Sequence, residues 1–531
     1  MLDPIADASG GNFSLLVEWW MNSSVKFFVA LACVSAVAAA PAGAQNDACD
    51  VDQNSPQFVA RAYFSIQKGI GVLNNKGDPA ADARAAVRLL TDPAARDRDK
   101  NLPGQTFTLG QAVALLLTGS SAPATGTRAD FGFATNPEQP ADLFVLADSV
   151  FTAAETLAPQ CARHIAAWRQ SAPWLSAMNQ ALTALNEGRL DTAEAMARRA
   201  LILDRNAPYG YVVLGGVARQ RLANAPAADK ARLLAEARQH LTRALEIAQN
   251  DTSYADVVRS SHDELGEVIA ASIEDAPAAE RANRAREAAE HFKQYAAIAE
   301  TDLQRADALQ KMGEVFEAVK DTASIRAVYR SVASNLTAYG ERSIVTAGIL
   351  ASRFGTPAEA AALYNAVLAS NPYHRDALRN LSVTLVKLND FAGLLPITQR
   401  LTVLDPNNPE AWVFHAYAYA GMAERATNAA LRRAYTDSST KYDRKAAEMP
   451  VKVSFNEFSP GEGEARLRGT IENLGTTPQT YNLIVEMLDR SGNVVATETA
   501  QIGPVAAKAT GEFTVTGKAT GIVAFRYKPL L

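Results

Sequence analysis

Across residues 171–446, apolar and small residues recur every three or four positions, the spacing of one buried helix face, and the whole pattern repeats. One unit, at 344–372, carries Gly348, Gly355, Ala360, Tyr364 and Pro372. Shifted by 34 residues, the next carries Leu378, Leu381, Ser382, Leu385, Asn389, Leu394, Leu401 and Pro406, and a third opens with Trp412, Ala416 and Tyr419. An earlier copy shows Ala181, Gly188, Ala193, Ala197 and Ala200, followed by Tyr211, Leu214, Gly215 and Ala218. Each unit predicts two amphipathic helices crossing closely at the small residues. A Gly or Asn ends the first helix in left-handed conformation, and a proline after the second prevents its continuation. Gly215 to Gly266 is 51 residues and Gly266 to Gly313 is 47, so the central units hold longer helices or loops. The Ala-Pro-Ala-Ala segments at 225–228 and 276–279 are the expected insertions, and six to seven helix pairs are expected in all.

This constellation resembles the tetratricopeptide repeat (TPR) family in its length, its small crossing residues and its closing Asn371-Pro372 and Asp405-Pro406. The resemblance implies an all-α solenoid whose first helices line a groove that binds protein. Counting along those helices places Met178, Leu182, Tyr209 and Arg219 on that face, then Asp263, Glu267, Glu314 and Glu317, then Arg342, Arg353, Arg379, Lys387 and Tyr417. An apolar, then acidic, then basic surface suits an extended polypeptide with mixed side chains. Val345, Ile349 and Val383 stand where carboxylate-clamp TPRs use Lys and Asn, so that mode of recognition is not expected.

Residues 45–170 predict a helical cap or divergent repeat. Ser55-Pro56 starts one helix, with Phe58, Ala62, Ile66 and Ile70 at helical spacing. Residues 109–117 and 143–157 predict two more helices, and the Gly/Ser/Thr/Pro-rich stretch 118–140 predicts a loop. At about 450 the period changes to two. Val451, Val453 and Phe455, then Ala465, Leu467 and Ile471, then Tyr481, Leu483, Val485 and Met487 alternate with polar residues. Phe513, Val515, Val523, Phe525 and Tyr527 complete six to seven strands, predicting a small antiparallel β-sandwich over 450–531. Gly469, Asn473, the turn from Asp489 to Gly492 and the late Phe513 resemble the FxLYD type of immunoglobulin-like sandwich.

Residues 1–44 form an N-terminal extension and a secretory signal. Lys26, an apolar run at 27–40 and Ala42-Gly43-Ala44 are its three parts, with cleavage before Gln45 and Met21 as the expected start. That run is too short for a membrane span, so the mature chain is expected to be exported, periplasmic or secreted, with peripheral envelope association at most. Of 52 Lys and Arg against 57 Asp and Glu, 51 and 54 remain after cleavage, which argues against nucleic acid as partner. Cys33 leaves with the signal, and Cys49 and Cys161 form an even pair in an oxidising compartment. A structural disulfide between them is favoured over a redox or metal site.

The six histidines are scattered, with no zinc spacing, nucleophile elbow or phosphate loop, and Asp130-Phe131-Gly132 lacks every other kinase part. No enzyme activity and no cofactor are expected. The reading is an exported bacterial scaffold with the sandwich as a second docking or spacing module. One alternative is a polysaccharide-associated protein whose sandwich binds sugar through Tyr481 or Tyr527. Another is an enzyme with its pocket in 45–170, around Cys49, Cys161 and His164.

Overall fold

The computed structural model describes residue 51 and residues 57–96 and 101–530. The leader, Cys49 and the Ser55-Pro56 helix start lie outside them. The chain divides into two compact units, one reaching Val268 and the other starting at Ile269.

The first unit opens with α1 (Gln57–Asn74), α2 (Ala80–Thr91), α3 (Leu102–Leu117) and α4 (Leu143–Leu157). Ala62 and Ile66 of α1 are buried at the expected spacing, and Asn101 caps α3 by accepting from the Gly104 amide. The stretch between α3 and α4 is more ordered than its composition implies. It forms a hairpin of β1 (Thr125–Thr127) and β2 (Pro140–Asp142), plugged by buried Phe131 and Phe133. The Arg128 guanidinium lies 4.2 Å from the Phe133 ring centre. A short α5 (Ala162–Arg169) follows, and its buried Arg169 bonds Asp148 and Glu155 of α4. Next come α6 (Ala172–Asn186), α7 (Leu190–Leu203), α8 (Tyr209–Leu222), α9 (Ala227–Ala248) and α10 (Ala255–Ala271), which crosses into the second unit.

The second unit continues with α11 (Ala278–Ala297), α12 (Asp302–Ala318), α13 (Thr322–Ala333), α14 (Glu341–Phe354), α15 (Pro357–Ser370), α16 (Arg375–Lys387), α17 (Phe391–Leu404), α18 (Pro409–Arg425) and α19 (Ala429–Ala447). From α6 to α19 this makes seven first-helix and second-helix pairs in chain order, a TPR-like solenoid. The prolines at 226 and 277 precede α9 and α11, and the extra length lies in those helices, 22 and 20 residues against 14 in α7. The left-handed turn between paired helices falls on Gly188 and Asn389, as expected, and on Lys320. Gly355 instead has φ −112°, so that turn closes without a left-handed residue.

Six strands follow: β3 (Val451–Pro460), β4 (Ala465–Asn473), β5 (Gln479–Leu488), β6 (Val494–Val505), β7 (Thr510–Gly517) and β8 (Ala524–Tyr527). They form two antiparallel sheets, ordered β3-β4-β7 and β6-β5-β8, around a core that includes Leu467, Ile471, Leu483, Val485, Phe513 and Phe525.

This sandwich is packed on the repeats of its own unit rather than spaced from them. It meets three successive turns between one helix pair and the next. At the first, Arg490 pairs with Glu341 at 2.6 Å, and its guanidinium also reaches the second by donating to the Ser370 carbonyl. At the second, the Asn371 amide donates to the Val523 carbonyl, and the Arg375 guanidinium lies 4.3 Å from the ring centres of both Phe455 and Phe525. At the third, the Tyr527 hydroxyl donates to Asp405 at 2.7 Å and accepts from the Asn407 amide at 2.9 Å. Leu488 and Ala524 of the sandwich belong to the same apolar core as Leu404 and Leu401. The closing Asn-Pro and Asp-Pro turns therefore both stop helices and seat the β-domain.

Candidate functional site

In a stacked repeat, the stacked helices build a concave surface, the expected ligand face, which the first helix of each pair lines. The charges expected there are mostly spoken for by their neighbours. In the first unit, Arg219 of α8 donates to Glu264 and Glu267 of α10 at 3.1 and 3.0 Å. Burial alone would lower the Arg219 pKa, but Glu264, Glu267 and Asp263 raise it, so the guanidinium is held charged. In the second unit, Arg353 of α14 pairs with Glu317 of α12 at 2.6 Å. Arg379 of α16 grips Glu410 of α18 through two bonds of 2.7 and 2.8 Å, and those bonds raise its pKa. The acidic and basic patches are thus rungs between consecutive first helices.

The other sequence-predicted groove residues separate by burial. Met178 is 3% exposed and belongs to the apolar core that includes Ala193 and Ala197 of α7, so it offers no groove surface. Leu182 is half-buried against the same core. Tyr209 packs edge-on to Trp174 and Tyr254, and burial plus Asp256 push its pKa up to about 12. Arg342 donates to the Phe458 carbonyl of β3, so the sandwich occupies it. Lys387 and Tyr417 remain exposed.

What the charges leave open is apolar. Ile349, Val383 and Tyr417 sit at the same repeat position, 34 residues apart, on α14, α16 and α18. Ile349 is 41% exposed and Tyr417 44%, with Val383 half-buried between them. Val413, one turn before Tyr417, is exposed to the same extent. The sequence named all three on the groove face, Tyr417 among the groove residues and Ile349 and Val383 in place of clamp residues, but not as one column. The signal that finds it is the 34-residue period applied to the exposed positions, not only to the buried ones.

The alternative sites fare differently. Tyr481 and Tyr527 are 7% and 2% exposed, so neither offers a sugar a stacking face. Cys161 is buried and disulfide-bonded, so it is not a free thiol; Cys49 lies outside the described residues. His164 packs against Phe107, with ring centres 5.4 Å apart. Phe131 of the kinase-like trio is fully buried beneath the hairpin. Among the described residues, no group of three or more His, Cys, Asp or Glu could hold a metal ion, and no helix is long and apolar enough to cross a membrane.

No family model matches the chain, and no curated protein matches it. Solved structures similar to it are TPR proteins. One, from Parabacteroides merdae, is 12% identical over 52% of this chain and 93% of its own, with a TM-score of 0.27. YrrB, described as a TPR protein with an unusual peptide-binding site, is 18% identical over 40% of this chain and 95% of its own, at 0.25. The TPR2AB domain of yeast Sti1, solved in complex with pHSP90, is 15% identical over 52% and 95%, at 0.20. At these scores the likenesses carry nothing about function, and the repeat fold stands on the chain's own helix pairs.

Proposed function

We propose that this protein is an exported, non-enzymatic scaffold whose α14, α16 and α18 face holds an extended segment of another envelope protein. The observation that carries the reading is the exposed column of Ile349, Val383 and Tyr417, flanked by arginines already bonded to glutamates. An extended chain reaches adjacent first helices in turn, and apolar side chains at that spacing remove the column from water. Paired charges then act as a frame more than as the recognition code.

Export is supported by the leader pattern and by a disulfide-bonded Cys161, since such bonds persist in oxidising compartments. Cys49 is the proposed partner of Cys161. The sandwich is assigned to the FxLYD type. Supporting this, the Asn473 amide ties its strand end to the Thr477 and Val505 carbonyls, and Asp489 accepts from the Ser491 and Asn493 amides in the hairpin.

The test is capture from envelope extract with wild type, Ile349→Asp/Tyr417→Asp and Arg342→Glu/Arg353→Glu/Arg379→Glu. The apolar double variant should lose the partners that wild type recovers. Identical recovery by wild type and that variant would overturn the reading. N-terminal sequencing of the protein from fractionated cells should begin at Gln45; an N-terminus at Met1 or Met21 would refute export by this signal.

A further inference from the structure

The last three helices carry a second opening beside the end of that column, where the Phe391 ring lies 6.2 Å from that of Tyr417. A groove of about 300 Å³ lies between the start of α17, the end of α18 and the start of α19. That is the small end of the roughly 300–1,000 Å³ range of ligand pockets, room for one or two side chains. Phe391 forms its floor, packed so closely on Gly421 that a Cβ there would overlap the ring. Met422 and Tyr435 form its walls, and Leu431, 51% exposed, stands on the rim.

The rim also holds Arg425, whose guanidinium lies 4.8 Å from the Phe391 ring centre. No carboxylate lines the groove, and none among the described residues forms an ion pair with Arg425. This sets it apart from Arg219, Arg353 and Arg379, each bonded to a glutamate on a neighbouring first helix. The ring holds Arg425 in place while its N–H groups keep their capacity to bond an anion.

We propose that this groove binds an acidic peptide segment of a partner protein, seating a bulky apolar side chain on Phe391, Met422 and Leu431 while an adjacent carboxylate meets Arg425. An exposed guanidinium without a carboxylate partner among the described residues, beside an apolar floor, favours such a ligand on both counts. The carboxylate forms a charge-assisted, two-pronged bond, and the anchor side chain excludes water around it.

The probe is a fluorescein-labelled decapeptide with a central Leu-Phe flanked by two Glu on each side, with Gln-flanked and Lys-flanked counterparts. Fluorescence anisotropy with the full chain should show the Glu peptide binding at least tenfold tighter than the Gln peptide. Arg425→Glu should abolish that preference and turn it toward the Lys peptide, and Leu431→Asp should weaken all three peptides. Both side chains are exposed, and unchanged thermal unfolding confirms that the variants fold. Equal binding of the Glu and Gln peptides to wild type, or an unchanged preference in Arg425→Glu, would overturn the proposal. Ile349→Asp/Val383→Asp should leave this binding intact. Loss of binding there would place the peptide on the first-helix face and overturn the groove, whereas failure of the envelope capture leaves this result standing.

Discussion

Tyr527→Phe tests how firmly the sandwich and the repeats of the second unit hold one another. The phenol is 2% exposed, and its burial beside Asp405 raises its pKa well above the usual value, so it stays a donor at every working pH. Removing the oxygen deletes a bond to Asp405, and bonds to charged groups contribute about 1.5–3 kcal/mol. It also leaves the Asn407 N–H buried without its acceptor, which costs about 1–3 kcal/mol. Asp405 keeps Arg375 at 3.2 Å and Asn408 at 2.9 Å, so the two losses do not add in full. We expect about 2–4 kcal/mol, against about 0.5 kcal/mol for a surface substitution.

Hydrogen exchange of the full chain, followed by mass spectrometry, reads this directly. At a factor of ten per about 1.4 kcal/mol, exchange limited by opening of the junction should speed up by about 30- to 700-fold. The change should appear in β8 and also around the α17 to α18 turn. An increase below about threefold, or one confined to β8, would refute the coupling inferred from this contact.

Two further outcomes follow from close packing and burial. Gly421→Ala should lower the unfolding temperature through an overpacking cost of about 1–3 kcal/mol, because the new methyl overlaps Phe391; an unchanged melt would show that the ring moves freely. His415 is 5% exposed among Trp412, Tyr419 and Tyr442, with Nδ1 2.9 Å from the Thr398 hydroxyl, and burial lowers its pKa. With the folded value below the unfolded 6.5, the unfolded chain protonates first, so stability is full above 6.5 and is lost as pH falls below it. The urea midpoint should drop between pH 8 and 5, and His415→Gln should flatten that slope; an equal slope in the variant would assign it elsewhere.

The helix pairs and strands were legible because burial imposes a period on a single segment. Gly348, Ser382 and Ala416 mark three crossings, and the alternation of Leu483, Val485 and Met487 marks a strand. The same logic failed wherever a partner lies on another element. A helical face says that Arg379 is exposed, but not that Glu410, 31 residues on, takes its charge. Asn371 reads as a helix stop, yet its amide reaches Val523, 152 residues away. The hairpin between α3 and α4 was hidden by its Gly, Ser and Pro content, because two buried phenylalanines, not a periodic face, hold it.

A chain of stacked repeats behaves as a spring, since each coil touches only its neighbours and the small rotations between them add up. The sandwich interrupts that behaviour by gripping the coils at Glu341, at Asn371 and Arg375, and at Asp405 and Asn407 together. Stretching or bending these coils would mean prising off a β-domain, so their pitch is preset before any ligand arrives. Under the proposed function, the spacing of Ile349, Val383 and Tyr417 is then a fixed ruler that discriminates between segments by length as well as by side chain.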